Sequence, residues 1–252
     1  MFVDTHCHLD HPSLYSRLDD VLASARRAGV EKFVTPGVAP KGWEGIARIS
    51  SLGAGIFPAF GVHPMMAGMY DDGLLDVLER FARRGVAIGE VGLDYALTGV
   101  SREKQVAAFR GQARLAVRLG LPVLIHCRRA FRDLLQIMKE EGLREVGGIM
   151  HAFSGSPETA RECIRQGFMI SICGTVTYRN AVRSPEVAAA VPLESLVLET
   201  DAPDLTPEPW RGRENEPAFL LETAGKVAGI KGLSLEELAE ATTANVAGIL
   251  GI

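Results

Sequence analysis

The chain has 252 residues, room for one large domain or two small ones, and a single (β/α)8 barrel uses roughly 250. Hydrophobic residues make up 47% and charged residues 23%, which excludes a disordered chain. A formal net charge of −4, with no run of Lys and Arg, excludes a protein that coats duplex DNA by bulk electrostatics, though not one that grips a nucleic acid locally.

Reading in chain order, Phe2–His6 is the first strand candidate and ends in Asp4-Thr5-His6-Cys7-His8. Side chains two apart on a strand share a face, so His6 and His8 can both point one way and hold a divalent ion. A lone pair of this kind can equally be two satisfied histidines. Lys32–Pro36 and Ile56–Val62 are the next strands, and His63 follows the third as a plausible substrate or leaving-group contact. Val86–Glu90 is the fourth, where Glu90 closes an apolar run that an unpaired carboxylate would make costly. Arg102–Leu119 carries Val106, Phe109, Ala113 and Ala116 at helical spacing, with Ser101 placed to cap it and Gly120 to end it.

Val123–His126 and Gly148–His151 are strands five and six, each ending in a histidine, and Arg128 stands just beyond the first as a candidate phosphate contact. Ser156-Pro157-Glu158 and Ser184-Pro185-Glu186 read as capped helix starts. Phe168–Cys173 and Ser195–Glu199 complete eight strands, and Thr200-Asp201 follows the last. Glu199 and Asp201 face the same way, with Glu199 placed to orient a ligand histidine or to share a buried ion pair. Ser234-Leu235-Glu236-Glu237 has capping-box spacing and opens a final helix towards Ile249.

Eight alternations of apolar strand and amphipathic helix, without a polar linker or a Gly-rich phosphate loop, point to one (β/α)8 TIM-type barrel over residues 1–252. In such a barrel the active site lies at the C-terminal ends of the strands, where four of the six histidines fall. His6, His8, His126 and His151, with Glu90 and Asp201, would hold two cations, or one with spectators. Zinc, manganese and magnesium are the choices, and an all-oxygen magnesium cage is the poorest match to so many nitrogens. The four cysteines lack CxxC spacing, which disfavours a thiolate zinc site and a secreted disulfide framework. The start MFVDTHCHLD does not read as a signal peptide, and no apolar stretch is long enough for a membrane span; the cytoplasm is the expected compartment.

The stretches DTHCHLD, GVHP, GEVGLDY, PVLIHCRRA, HAFSG, LETDAPDLTP and RGRENEP, spanning Asp4 to Pro217 in that order, resemble the TatD family of metal-dependent deoxyribonucleases. The resemblance implies that Glu90 bridges two divalent ions, one also held by His6, His8 and Asp201 and the other by His126 and His151. It implies hydrolysis of DNA phosphodiester bonds, commonly from a 3′ end. Asp201 would also act as general base. Two positions depart from the family pattern: Asp204 stands where tyrosine is common, and Ala96 where a second aromatic often follows GLDY. Both belong to loops near the mouth and bear on substrate preference.

The expected substrate is DNA as single strands or frayed ends, handled by a monomer or weak oligomer. Arg128 and His63, with Arg211 or Arg213, are the candidates for gripping terminal phosphates. The alternative is an amidohydrolase-type ester or amide hydrolase, including an aminoacyl-tRNA deacylase. Its version with a carboxylated lysine on strand four is disfavoured, because Glu90 takes that place.

Overall fold

The computed structural model describes residues 1–53 and 55–252. Among them, eight strands form one sheet in chain order: β1 (Phe2–Asp4), β2 (Val30–Pro36), β3 (Ile56–Phe60), β4 (Ala87–Asp94), β5 (Val123–Arg128), β6 (Gly148–Met150), β7 (Phe168–Ile172) and β8 (Leu196–Leu198). Every adjacent pair is parallel. The helices are α1 (Pro12–Tyr15), α2 (Leu18–Arg27), α3 (Pro40–Ser50), α4 (Asp72–Ala82), α5 (Arg102–Leu119), α6 (Phe131–Glu140), α7 (Pro157–Arg165), α8 (Arg183–Ala190), α9 (Leu220–Lys231) and α10 (Leu235–Leu250). None is long and apolar enough to cross a membrane.

The seam between the first and last strands closes beyond their ends. Thr5 N donates to Leu198 O at 3.1 Å, Asp201 N to His6 O at 2.9 Å and His8 N to Ala202 O at 2.8 Å, and Cys7 forms an isolated parallel bridge with Ala202. The segments that carry His6, His8 and Asp201 therefore complete the barrel.

Inside the barrel Val3, Val34, Ala59, Ala87, Leu124, Ile149 and Val197 pack into one apolar cluster, and Val246 and Leu250 of α10 join it. Inward-facing strand residues fill the N-terminal end of such a barrel and leave the C-terminal end for polar groups. A second, larger cluster lies between the strands and the surrounding helices and includes Phe33, Trp43, Phe60 and Phe109.

Local signals set several helix ends. Ser101 and Ser156 cap α5 and α7 by accepting from Lys104 N at 3.4 Å and Thr159 N at 3.3 Å. At α10 both halves of the capping box form: Ser234 Oγ accepts from Glu237 N at 3.1 Å and Glu237 Oε2 from Ser234 N at 2.8 Å. Several bounds differ: β1, β6 and β8 end at Asp4, Met150 and Leu198, before His6, His151 and Glu199, and β5 runs past His126 to Arg128. The α8 helix begins at Arg183, with no side-chain cap, so Ser184 lies inside its first turn. Pro185 is tolerated there because first-turn N–H groups have no intrahelical partner.

Strand four does not stop at Glu90 but runs on to Asp94, with a register irregularity between Ile88 and Val91. Gly92 makes this continuation possible. Its φ is +139°, and a Cβ there would lie 2.0 Å from the carbonyl oxygen of His126.

Candidate active site

Glu90 stands at the centre of the C-terminal rim, in mid-strand and only 3% exposed. Its two oxygens face different partners. Oε2 lies 3.3 Å from His6 Nε2. Oε1 lies 3.1 Å from His126 Nδ1, 3.5 Å from His63 Nε2 and 3.8 Å from His151 Nε2. Burial alone would raise this carboxyl, but His63, His6, His151 and the hydrogen bond with His126 hold it well below the usual carboxylate range.

Asp201 adds a second carboxylate. Its Oδ1 lies 3.5 Å from His151 Nε2, 3.7 Å from His8 Nε2 and 3.9 Å from His6 Nε2. The residue is in the left-handed region at φ +60°, as are Arg129 at +55° and Ala152 at +40°. Such turns cost roughly 1–2 kcal/mol per non-glycine residue, and aspartate is among those that tolerate them best. They fall just after β5, β6 and β8, where the chain must leave the sheet while still facing the mouth.

The histidines are oriented from behind. Glu199 Oε1 sits 3.0 Å from His151 Nδ1 and also accepts from Ala152 N at 2.6 Å. Asp94 Oδ2 sits 3.2 Å from His126 Nε2. Without an ion both rings hold a second proton between themselves and Glu90; a divalent ion that displaced it would be met by His151 Nε2 and His126 Nδ1, the nitrogens nearest Glu90, while the carboxylate-facing nitrogens keep theirs. Burial would lower both rings, but these carboxylates and Glu90 outweigh it and push His126 up to about 9 and His151 up to about 10. His6 is lowered, chiefly by burial, and its ring stacks on that of His151 with centroids 3.5 Å apart.

His63 differs from the other rings. Its Nδ1 accepts from Met65 N at 3.1 Å, so the neutral ring carries its proton on Nε2, the nitrogen facing Glu90. Burial pushes it down to about 4, which keeps it neutral at pH 7. It is thus an N–H donor at the rim.

The donor set fits divalent metal. Two ligand atoms each about 2.1 Å from one tetrahedral ion lie roughly 3.4 Å apart, and the N···O separations around Glu90 and Asp201 run from 3.1 to 3.9 Å. His6 Nε2 is buried without a hydrogen-bond partner. His6, His8 and Glu90 form one group of convergent ligand atoms, His63, Glu90 and His126 another, and His6, His151 and Glu199 a third. The six residues read from sequence thus lie together around Glu90 and Asp201.

A cavity of about 880 Å³ opens over this cluster and is also lined by Arg128, Arg183, Asp204 and Leu205. Arg128 is where the sequence put it, at the end of β5. Asp204 is at the mouth as expected, whereas Ala96 does not line the cavity; its N–H donates to Asp94 Oδ1 at 2.9 Å. Arg211 and Arg213 also lie off the cavity lining, against the rings of Tyr178 and Trp210, which removes them from the terminal phosphate.

Three residues escaped the sequence reading. Asp94 shares the spacing Glu90-Gly92-Asp94, a period-two signal that points to it once the strand is extended. Asp4 is fully buried and accepts from Thr200 N at 2.9 Å, Thr200 Oγ1 at 2.5 Å and His6 N at 3.3 Å, locking β1 to the segment after β8. Arg183 reaches the mouth from α8, which no local signal announces. Asn215 ties down the last loop, donating to Thr200 O at 2.8 Å and Asp204 O at 2.6 Å.

A parallel barrel with buried carboxylates, oriented imidazoles and an open mouth at its C-terminal rim is the architecture of a metal-dependent hydrolase. Residues 3–251 match the family model described as TatD related DNase. A metal-dependent hydrolase of Bacillus subtilis, YabD, itself named as uncharacterized, is 40% identical over 248 residues, 97% of each chain. Human deoxyribonuclease TATDN3 is 36% identical over 258 residues, covering 96% of this chain and 92% of its own. The crystal structure of YjjV, a TatD homologue from Escherichia coli K12, is similar with a TM-score of 0.93 at 32% identity, covering 100% of this chain and 98% of that one. The chain belongs to the TatD-related DNase family.

Proposed function

We propose that the chain is a 3′→5′ deoxyribonuclease that trims single-stranded or frayed DNA ends, using two divalent ions held by His6, His8, Glu90, His126, His151 and Asp201. The observation that carries this reading is the split environment of Glu90. One oxygen faces His6 and the other faces His126, His151 and His63, the arrangement of a carboxylate shared between two cations. Bound ions of this kind polarise phosphoryl oxygens and acidify a water.

The chain's own residues supply the rest. Asp201, with its side chain 15% exposed at the floor of the cavity, takes the proton of the attacking water. The water oxygen bonds to phosphorus as the bond from phosphorus to the 3′ oxygen breaks, and that oxygen takes its proton from solvent. His63 offers Nε2–H, and Arg128 its guanidinium, to the non-bridging oxygens. Two dications with two ligating carboxylates leave about two positive charges, which favours a phosphate ligand. A strand end enters the mouth directly, whereas an intact duplex must first be distorted. Lys104 is exposed on α5 and no lysine is among the described residues lining the cavity, which disfavours the carboxylated-lysine hydrolase.

The expected assembly is a monomer or weak oligomer. The cysteines Cys7, Cys127, Cys163 and Cys173 are free and buried, in keeping with the reducing cytoplasm. The test is a time course on end-labelled oligonucleotides with manganese, zinc or magnesium, beside a nicking assay on covalently closed plasmid. Laddered shortening from the 3′ end with an intact plasmid is expected. Rapid nicking of the plasmid without end-dependent trimming would overturn the proposal.

A further inference from the structure

Two segments that line the cavity also lead away from it together. The 3-10 turn Gly174–Thr177 follows β7 and contributes Thr175 to the lining, and the loop after β8 contributes Asp204 and Leu205. They are tightly apposed. A Cβ on Gly174 would lie 2.3 Å from Leu205 O and 3.0 Å from Pro207 N. Thr177 Oγ1 accepts from Glu208 N at 2.8 Å while donating to Gly174 O at 2.6 Å. At their outer ends these segments bear Tyr178 and Arg211, with the guanidinium 4.2 Å above the ring centroid.

The loop that bears Arg211 is anchored. Trp210 stacks on Phe219 at 5.0 Å, with 8° between the planes, and donates its Nε1–H to Glu222 Oε1 at 3.1 Å.

Arg211 is held differently from the arginines on the outer helix faces. Arg114 donates to both oxygens of Glu141 at 2.7 and 3.0 Å, and Arg118 to Glu79 at 2.7 Å. Arg211 has its nearest carboxylate, Glu208, at 3.9 Å, and its side chain is 53% exposed. A guanidinium carries five N–H donors in a plane. Stacking on Tyr178 fixes that plane and leaves its outer face and its edges available. A planar cation so presented suits an unpaired base on its face and a phosphate at its edge.

We propose that Arg211, clamped on Tyr178, is an outer subsite that takes a backbone phosphate of single-stranded DNA on the 5′ side of the scissile bond. This rests on the deoxyribonuclease reading and extends it. The catalytic cluster handles the terminal phosphate, and Arg211 holds the strand that remains. Arg183, exposed and lining the cavity, donates to Ser154 O at 3.5 Å and is a further cation at the mouth. The subsite makes the enzyme prefer strands that extend beyond one phosphodiester.

The experiment compares hydrolysis of a long single-stranded oligonucleotide with that of bis(p-nitrophenyl) phosphate, which has one phosphodiester and no strand. In Arg211→Ala the ratio of kcat/KM for the oligonucleotide to that for the small diester should fall about ten- to hundredfold, through KM. Arg211→Lys should recover little, since it keeps the charge without the plane, whereas Tyr178→Phe should retain most of the preference. Anisotropy of a labelled strand in chelator, over a series of salt concentrations, gives a readout independent of turnover. Loss of one phosphate contact should flatten the log–log slope by about 0.7. An unchanged ratio and slope in Arg211→Ala, with wild-type protein trimming DNA normally, would overturn the subsite alone. Wild-type protein that hydrolyses the small diester but no DNA would overturn both the subsite and the deoxyribonuclease reading.

Discussion

His151 shows at the scale of one residue how the rim works. Glu199 stands behind Nδ1, and Asp201 and Glu90 lie in front of Nε2. Removing the carboxylate behind an imidazole leaves the ring in place but frees its tautomer, a change that typically lowers metal affinity about 10–100-fold. Glu199→Gln should therefore weaken metal uptake by about that factor in titration calorimetry. Asp201→Asn should behave differently: turnover should fall roughly 10²–10⁴-fold, the usual cost of a missing general base, by much more than metal content falls. Elemental analysis beside steady-state kinetics separates the two. Near wild-type turnover in Asp201→Asn would leave that carboxylate without a chemical role.

Among the elements, β4 has the most demanding task, because it carries Glu90 and Asp94 while pairing closely with β5. The chain meets it with Gly92, whose missing side chain lets the His126 carbonyl approach. Gly92→Ala should push β4 from β5, misplacing Glu90, His126 and Asp94 together, and metal uptake should be lost along with stability. Ser234→Ala provides the contrast, since it removes one cap of α10 at the opposite end of the barrel. It should cost about 0.5–2 kcal/mol in urea unfolding and leave metal uptake intact. Equal metal content in the two variants would show that β4 tolerates the added methyl and that its tight pairing does not shape the site.

For the whole molecule, the proposed metal site would couple metal binding to folding through the seam. His6, His8 and Asp201 lie on the segments whose hydrogen bonds join the first strand to the last, so an ion held by them ties both ends of the sheet. Each ion at a concentration of 100 Kd adds about 2.7 kcal/mol to the folded state. At about 2–4 °C per kcal/mol for a chain of this size, Tm should rise by roughly 5–11 °C per ion. Scanning calorimetry with and without chelator measures this, and Glu90→Gln should abolish most of the increment. No change in Tm under saturating manganese or zinc would remove the proposed metal site.

Sequence alone determined what depends on neighbours along the chain. The bounds of α5 follow from Ser101 and Gly120, and the capping box of α10 from Ser234 and Glu237, because caps act within one turn. Apolar runs ending in His6, His126 and His151 marked both the strands and the rim, since strand alternation and barrel polarity are local rules. Tertiary structure alone decided which atoms meet. The run of β4 past Glu90 hangs on a carbonyl of β5, and so Asp94 was hidden. Whether Glu199 orients a histidine or pairs elsewhere was open until barrel closure brought β8 beside His151. Arg183 came to the mouth, and Arg211 left it for Tyr178, through the packing of loops far apart in sequence. Periodicity and caps are written along the chain, whereas contacts across the barrel exist only once the sheet has closed and set the distance between its strands.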